Sequence, residues 1–148
     1  LKKGYSREWI NQRLQAIQVR KELTDEWDAR GVQQGREYAI LTDEITKAWS
    51  GMNTRQYKNL KGLKKENLRD HMTNLETAVN TLAEAVTTEL SKKNNPKTFD
   101  ESRRVAQAGG SVAKKTRIDI ERRLGKSIVS NANAKQLQHK DDETKEIP

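Results

Sequence analysis

Lys58-Asn-Leu-Lys-Gly-Leu-Lys-Lys-Glu-Asn-Leu-Arg-Asp-His-Met-Thr-Asn-Leu-Glu76 decides how this chain is read. It holds the end of a short basic helix, a glycine stop at Gly62, a tight basic linker and a new helix start. Gly62 supplies the left-handed residue that ends a helix, and Leu63 can fold back onto Tyr57. Thr73-Asn-Leu-Glu76 is a capping box: the threonine hydroxyl accepts from a first-turn amide, and the glutamate reaches back to the cap. The stripe Leu75, Ala78, Val79, Leu82, Val86 and Leu90 follows at spacings of three and four. An amphipathic helix from Asn74 to Lys92 is therefore predicted, with that stripe as its apolar face. Asn94-Asn-Pro96 breaks it.

Upstream, Ser6 can cap a helix running to about Arg30. Its apolar residues fall in two adjacent bands, Trp9-Ala16-Val19-Leu23-Trp27 and Ile10-Leu14-Ile17. That pattern predicts a wide buried face or contacts on two sides. Gly31-Val32 is a glycine-then-apolar ending. Tyr38, Leu41, Ile45, Ala48, Trp49 and Met52 have helical spacing. Either the helix includes Tyr38-Ala-Ile-Leu41, or that run is extended and Thr42 caps a shorter helix with Asp43 and Glu44 in its first turn. Gly51 stops it, and Asn53 or Thr54 caps the short helix carrying Tyr57 and Leu60.

Downstream, Thr98-Phe-Asp-Glu101 reads as a second capping box. A helix from Phe99 to Leu124 is predicted, with Val105, Ala108, Val112, Thr116, Ile120 and Leu124 inward. Gly109-Gly110 sits in its middle, and each interior glycine disfavours a helix by about 1 kcal/mol against alanine. The pair marks either a break or a close approach by another backbone across Ala106, Ala108, Gly109, Gly110 and Ala113. Gly125 ends the helix, and Ile128 and Val129 are a last anchor. From Asn131 onward the chain is polar, and a loose tail is expected. The fold class is all-α: a small bundle of about five helices over residues 1–130, with a flexible tail at 131–148.

The 148 residues are one ordinary domain's worth, with only 32% hydrophobic residues and a mean hydropathy of −1.04. Such a chain buries a narrow core. It has no cysteine, which excludes disulfides and thiolate metal sites. It has no apolar run near the roughly 18 residues of a membrane span and no signal-peptide pattern, so an intracellular, non-membrane protein is expected. Beginning at Leu1, it is expected to be part of a longer protein.

No catalytic constellation is present. His71 lies beside Asp70 at a helix entry, where a structural hydrogen bond is expected, and His139 falls in the tail. Asp43-Glu44 suits a helix N-terminus, and Asp141-Asp-Glu143 a solvated tail. Neither has the paired, apolar setting that tunes a general acid. The glycines match neither a P-loop nor a dinucleotide fingerprint, and no metal-ligand spacing or cofactor motif is found.

Charge is the remaining signal. The formal net charge is +8. Between residues 55 and 69, Arg55, Lys58, Lys61, Lys64, Lys65 and Arg69 stand against Glu66 alone. Between 103 and 123, seven arginines and lysines stand against Asp119 and Glu121. Clustered positive charge attracts polyanions, nucleic acid above all. The first cluster is the expected nucleic-acid-binding surface. The second expectation is a protein interface or homodimer seam at Ala106, Gly109, Gly110 and Ala113. Tyr57 and Trp49 are expected in the core rather than as stacking platforms.

Several runs carry a family resemblance: Arg20-Lys-Glu-Leu-Thr-Asp-Glu-Trp-Asp-Ala-Arg-Gly-Val32, Tyr38-Ala-Ile40, Tyr57 with Lys61-Gly-Leu-Lys-Lys65, and Asp70-His-Met72. Together with Thr73–Glu76, Glu84–Glu89 and Gly109-Gly110-x-Val112-Ala113, they resemble the C-terminal half of DNA-damage-inducible protein D. That group belongs with phage antirepressor-like proteins bearing a Bro-type N-terminal domain. The resemblance covers about residues 10 to 130, and Gly62-Leu-Lys-Lys65 is its most specific piece. It implies a non-enzymatic role in a bacterial or phage DNA-damage response. The expected partner is DNA or a DNA-bound recombination or repair protein, with the Bro-type domain absent from this sequence and a cytoplasmic location.

Overall fold

Ser6 is extended, and its hydroxyl accepts a hydrogen bond from the Trp9 amide at 3.0 Å, which opens α1 (Arg7–Ala29). The computed structural model describes residues 4–132. α1 ends as its sequence dictates. Gly31 takes φ +80°, and the Val32 amide turns back to the Trp27 carbonyl at 2.9 Å. A residue with a Cβ pays for that left-handed conformation, whereas glycine does not.

α2 spans Arg36–Ser50, so the longer of the two expected helices forms. Thr42 is not its cap. Its hydroxyl donates to the Tyr38 carbonyl inside the helix. Leu41, Ile45 and Trp49, four apart, are fully buried and outweigh the local capping signal. Asn53 caps α3 (Thr54–Leu60) in a reciprocal box with Gln56. Gly62 repeats the glycine stop, with the Leu63 amide on the Lys58 carbonyl and Leu63 buried. A 3-10 turn, Leu68–His71, leads to α4 (Asn74–Asn94), whose Thr73–Glu76 capping box forms as expected. Thr98 caps α5 (Phe99–Leu124). Its Glu101 accepts from the Lys97 amide, one residue beyond the Thr98 amide of the expected reciprocal bond. Among the described residues there is no β-strand. The tail expected from Asn131 onward lies mostly beyond Ala132, outside the described residues, as do His139 and the acidic run at 141–143.

α4 is the central helix and packs against α1, α2 and α5, while α2 also packs on α5. Trp9 donates its indole N–H to the Met72 carbonyl at the start of α4, and Ser91 near its end donates to Glu26. α1 therefore runs alongside α4 in the same direction. Trp49, at the end of α2, donates to Asn80 near the start of α4, so α2 runs the other way.

The faces of α4 and α5 differ from the periodicity reading. The side of α4 turned inward carries Glu76, Thr77, Asn80, Glu84, Thr87, Thr88 and Ser91, with only Val79 and Ala83 as apolar members. Leu75, Leu82, Val86 and Leu90 are half-buried and Ala78 is exposed. Most of the polar residues go in with partners; the Thr77 hydroxyl is the exception, buried with no hydrogen-bond partner among the described residues. Glu84 accepts from Arg20 of α1 at 3.0 Å and from both terminal nitrogens of Arg69. Arg20 also donates to Thr42 of α2 at 2.8 Å. Glu26 pairs with Arg30 and accepts from Ser91. Thr87 and Thr88 donate to carbonyls one turn back. A buried charge is tolerated only with such compensation.

On α5 the inward face is Ser102, Val105, Ala106, Gly109, Gly110 and Ala113. Ala108 faces out, Val112 is 43% exposed and Leu124 is also exposed. The helix runs unbroken through the glycine pair, which marks close approach. A Cβ on Gly109 would lie 1.9 Å from Thr87 Oγ1, and one on Gly110 would lie 2.5 Å from Ala48 Cβ and 2.8 Å from the Ile45 carbonyl. Successive residues are about 100° apart on a helix, so the two glycines admit α4 and α2 respectively. On α1 the Trp9 band is buried except for half-buried Val19; of the other band Ile10 is half-buried, and Leu14 and Ile17 are 60% and 49% exposed.

Two outcomes follow from this packing. Gly110→Ala should lower stability by about 1–3 kcal/mol through overpacking, although the same change at an open helix position stabilises by about 1 kcal/mol. Thermal unfolding followed by circular dichroism reads the sign, and a raised Tm would refute the close approach. Burial opposes ionisation of Glu84, but attraction and hydrogen bonds from Arg69 and then Arg20 outweigh it and hold its carboxyl below the usual range. A depressed folded value means stabilisation that is present above the unfolded value of about 4.3 and lost as pH falls through the folded one. Glu84→Gln should cost about 3–5 kcal/mol at pH 7 in urea unfolding. Its deficit against wild type should shrink below about pH 4; a deficit that stays constant down to acid pH would contradict the ion-pair account.

Candidate nucleic-acid interface

The six basic residues between 55 and 69 separate into two groups. Lys61 is completely buried. Its ammonium lies 2.7 Å from Glu76 Oε1, donates to the Ser130 carbonyl at 3.0 Å and to the Ala132 carbonyl, and sits 5.6 Å from the centre of the Tyr57 ring. Arg69 gives its guanidinium to Glu84. These two are not available to an outside anion, which corrects the expectation for both. The reason is the same in each case: a carboxylate on the inner face of α4 needs a cation within the fold. The other four, Arg55, Lys58, Lys64 and Lys65, form no ion pair among the described residues. Arg55, Lys64 and Lys65 are exposed and Lys58 is half-buried.

The four surround two depressions that share Thr54 and Lys58. The wider one, ≈540 Å³, lies between Asp43, Thr54, Arg55, Lys58, Asn59, Leu63 and Lys64. The narrower, ≈150 Å³, runs between α2, α3 and the 3-10 turn; polar Thr42, Thr46, Thr54, Lys58, Lys65, Glu66, Asn67, Arg69 and Asn80 and apolar Leu68 and Met72 form its walls. The acidic side chains nearby are engaged. Asp43 accepts from the Thr54 amide at 3.2 Å. Glu66 accepts from the amides of Lys64 and Lys65. Hydrogen bonds from its own amide and that of Lys64 hold its carboxyl below the usual range. These contacts shape the turn that carries the two lysines.

The aromatic residues of this region belong to the interior. Trp49 and Tyr57 are both fully buried and meet edge to face at 6.0 Å. The Tyr57 hydroxyl donates to Glu76, and burial followed by the Glu76 charge pushes its pKa far up. Neither ring can stack a base. The second basic segment is partly neutralised. Arg103 pairs with Glu44, Arg117 with Glu121, and Arg123 with Asp119. Arg104, Lys115 and Arg122 recur at helical spacing on one outward side of α5.

Ala106, Gly109, Gly110 and Ala113 are buried against the chain's own α2 and α4. The expected interface is thus already filled from within, because those small residues are what allow α2 and α4 to close on α5. Sequence reasoning did not find Thr42, Thr46, Thr54, Asn67 or Asn80. They are ordinary polar residues on separate elements, and no local pattern joins them. Among the described residues no group of three or more His, Cys, Asp or Glu could hold a metal ion, and no helix is long and apolar enough to cross a membrane.

Neither the comparison with curated proteins nor that with solved structures returned a match. A family model described as the DinD C-terminal domain matches residues 3–139, nearly the whole chain. The resemblance carried by Gly62-Leu-Lys-Lys65 and its neighbouring helices is thereby upheld, and the chain belongs to the DinD C-terminal domain family.

Proposed function

We propose that this domain is a non-enzymatic regulatory module of the DNA-damage response, acting in the cytoplasm of a bacterium or of a phage-infected cell. It contacts DNA, or a recombination or repair protein bound to DNA, through Arg55, Lys58, Lys64 and Lys65. The observation that supports this reading is the sorting of the basic segment. Two cations are spent on buried carboxylates, and the remaining four are left without acidic partners around two adjoining depressions. Such an arrangement suits phosphate-directed affinity.

A second reading is a protein-interaction module without nucleic-acid contact. It no longer draws on the glycine pair. Leu14 and Ile17, three apart and exposed on α1, are the observation in its favour.

Fluorescence anisotropy with a labelled duplex, titrated against salt, tests the first reading. Changing Arg55, Lys58, Lys64 and Lys65 together to glutamine should weaken binding and flatten the log K against log salt slope by about 0.9 per lost phosphate contact. Lys61→Gln should instead lower stability. A quadruple variant that binds with wild-type affinity and slope would remove this face from the mechanism. Static light scattering on Leu14→Lys addresses the second reading, which requires a complex in the wild type that the variant loses.

A further inference from the structure

We propose that the narrower cleft, between α2, α3 and the Leu68–His71 turn, is a binding site for a single phosphate group. The inference rests on the basic-surface reading for its setting, and it adds a specific pocket and ligand chemistry. Two polar side chains more than nine-tenths buried reach the cleft without a full set of partners. Thr46 is 4% exposed, and its hydroxyl has no hydrogen-bond partner among the described residues. Asn80 is also 4% exposed; its Oδ1 is taken by the Trp49 indole N–H at 3.0 Å, which leaves its Nδ2 to donate toward the cleft. Neither atom is sealed from solvent, so each is open to a water or a ligand that enters the cleft. Thr54, Lys58 and Lys65 add a hydroxyl and two ammonium groups around them.

Leu68 and Met72 form an apolar part of the wall, and the rest of the lining is rich in donors. Its one carboxylate on the wall without an ion pair, Glu66, is occupied by the Lys64 and Lys65 amides. Arg69 adds positive potential from the side while its guanidinium stays on Glu84. A tetrahedral oxyanion with several acceptor oxygens matches hydroxyl, amide and ammonium donors converging from three elements. A cation or an apolar ligand does not. The group can be a phosphodiester of a bound strand or the phosphate of a free small molecule; the pocket chemistry is the same for both.

The Trp49 indole N–H provides a reporter, because it is bonded to Asn80. In proton–nitrogen correlation spectra of the full chain, inorganic phosphate at matched ionic strength should shift that resonance saturably. Thr46→Val, nearly isosteric, should weaken phosphate binding about fivefold or more while leaving the circular dichroism unchanged. If that variant is destabilised, Asn80→Asp is the substitute: it keeps an acceptor for Trp49 but replaces the donor with a negative charge, and phosphate binding should vanish. An absent or non-saturating shift, or unchanged phosphate affinity in a folded Thr46→Val variant, would overturn the proposal. Duplex binding by Thr46→Val separates the sources. A parallel loss identifies a backbone phosphate, and unchanged duplex affinity a free one. Wild-type duplex binding with no phosphate response would sink the cleft and leave the basic surface standing; phosphate binding without any duplex affinity would do the reverse.

Discussion

Two carboxylates on the inner side of α4 constrain this fold more than any apolar contact does. Glu76 and Glu84 lie two turns apart, and neither can be left buried without a cation. Each recruits its partners from outside α4. Glu84 draws Arg20 from α1 and Arg69 from the 3-10 turn. Glu76 draws Lys61 from the end of α3 and the Tyr57 hydroxyl with it, and it also closes its own capping box on Thr73. Lys61 then passes the constraint on, since its remaining protons hold the carbonyls of Ser130 and Ala132. A single helix thus fixes α1, α3, the turn and the segment after α5 through hydrogen-bonded charge.

Buried ion pairs are weak evidence for net stability, because well-packed apolar groups of equal volume often do as well or better. Their value here is in register. The apolar content is small, and the leucines of α4 and Val86 are only half-buried, with Val79 and Ala83 alone among its apolar residues fully inside, so burial by itself chooses weakly between rotations of that helix about its axis. Turning α4 by one residue would take Glu84 from its two arginines and bring other side chains against Gly109. The penalty for an unpaired buried carboxylate makes that alternative unfavourable, and the 1.9 Å that separates a hypothetical Gly109 Cβ from Thr87 Oγ1 shows how little tolerance α5 leaves. Polar pairing and close backbone approach therefore act together to select one packing.

The distinction between local and long-range information explains what the sequence revealed. Helix ends were legible because their chemistry lies within four residues: Ser6, Asn53, Thr73 and Thr98 cap as read, and Gly31, Gly62 and Gly125 stop as read. The inward faces of α4 and α5 were not. Periodicity assigns apolar residues to the interior, and here Glu84 goes in because Arg20, 64 residues away, meets it. The Thr42 cap failed for a related reason, since Leu41 and Ile45 sit in the core and carry the helix past it. In the basic segment, charge alone could not separate Lys61 from Lys58, Lys64 and Lys65. The only local hint was Tyr57 four residues before Lys61, which places both on the side of α3 that meets Glu76. The cleft residues Thr46 and Asn80 had no local hint at all.

The same pairing accounts for how the basic segment can serve two ends. Lys61 with Glu76 is neutral, and Arg20 and Arg69 share Glu84, so these interior clusters hold only one of the chain's eight surplus positive charges. The rest of the surplus lies elsewhere; of the segment's four cations without an ion pair among the described residues, Lys64 and Lys65 sit between the two anchors, and Arg55 and Lys58 precede the first of them on α3. Lys61 on one side and Arg69 on the other pin the stretch between them to α4, which limits the conformational freedom that Lys64 and Lys65 would lose on meeting an anion. Pinned cations lose less entropy on binding than cations on a free loop, so the interior ion pairs would contribute to affinity without touching the ligand. Weakening either anchor would then loosen the basic face before it altered any contact made there.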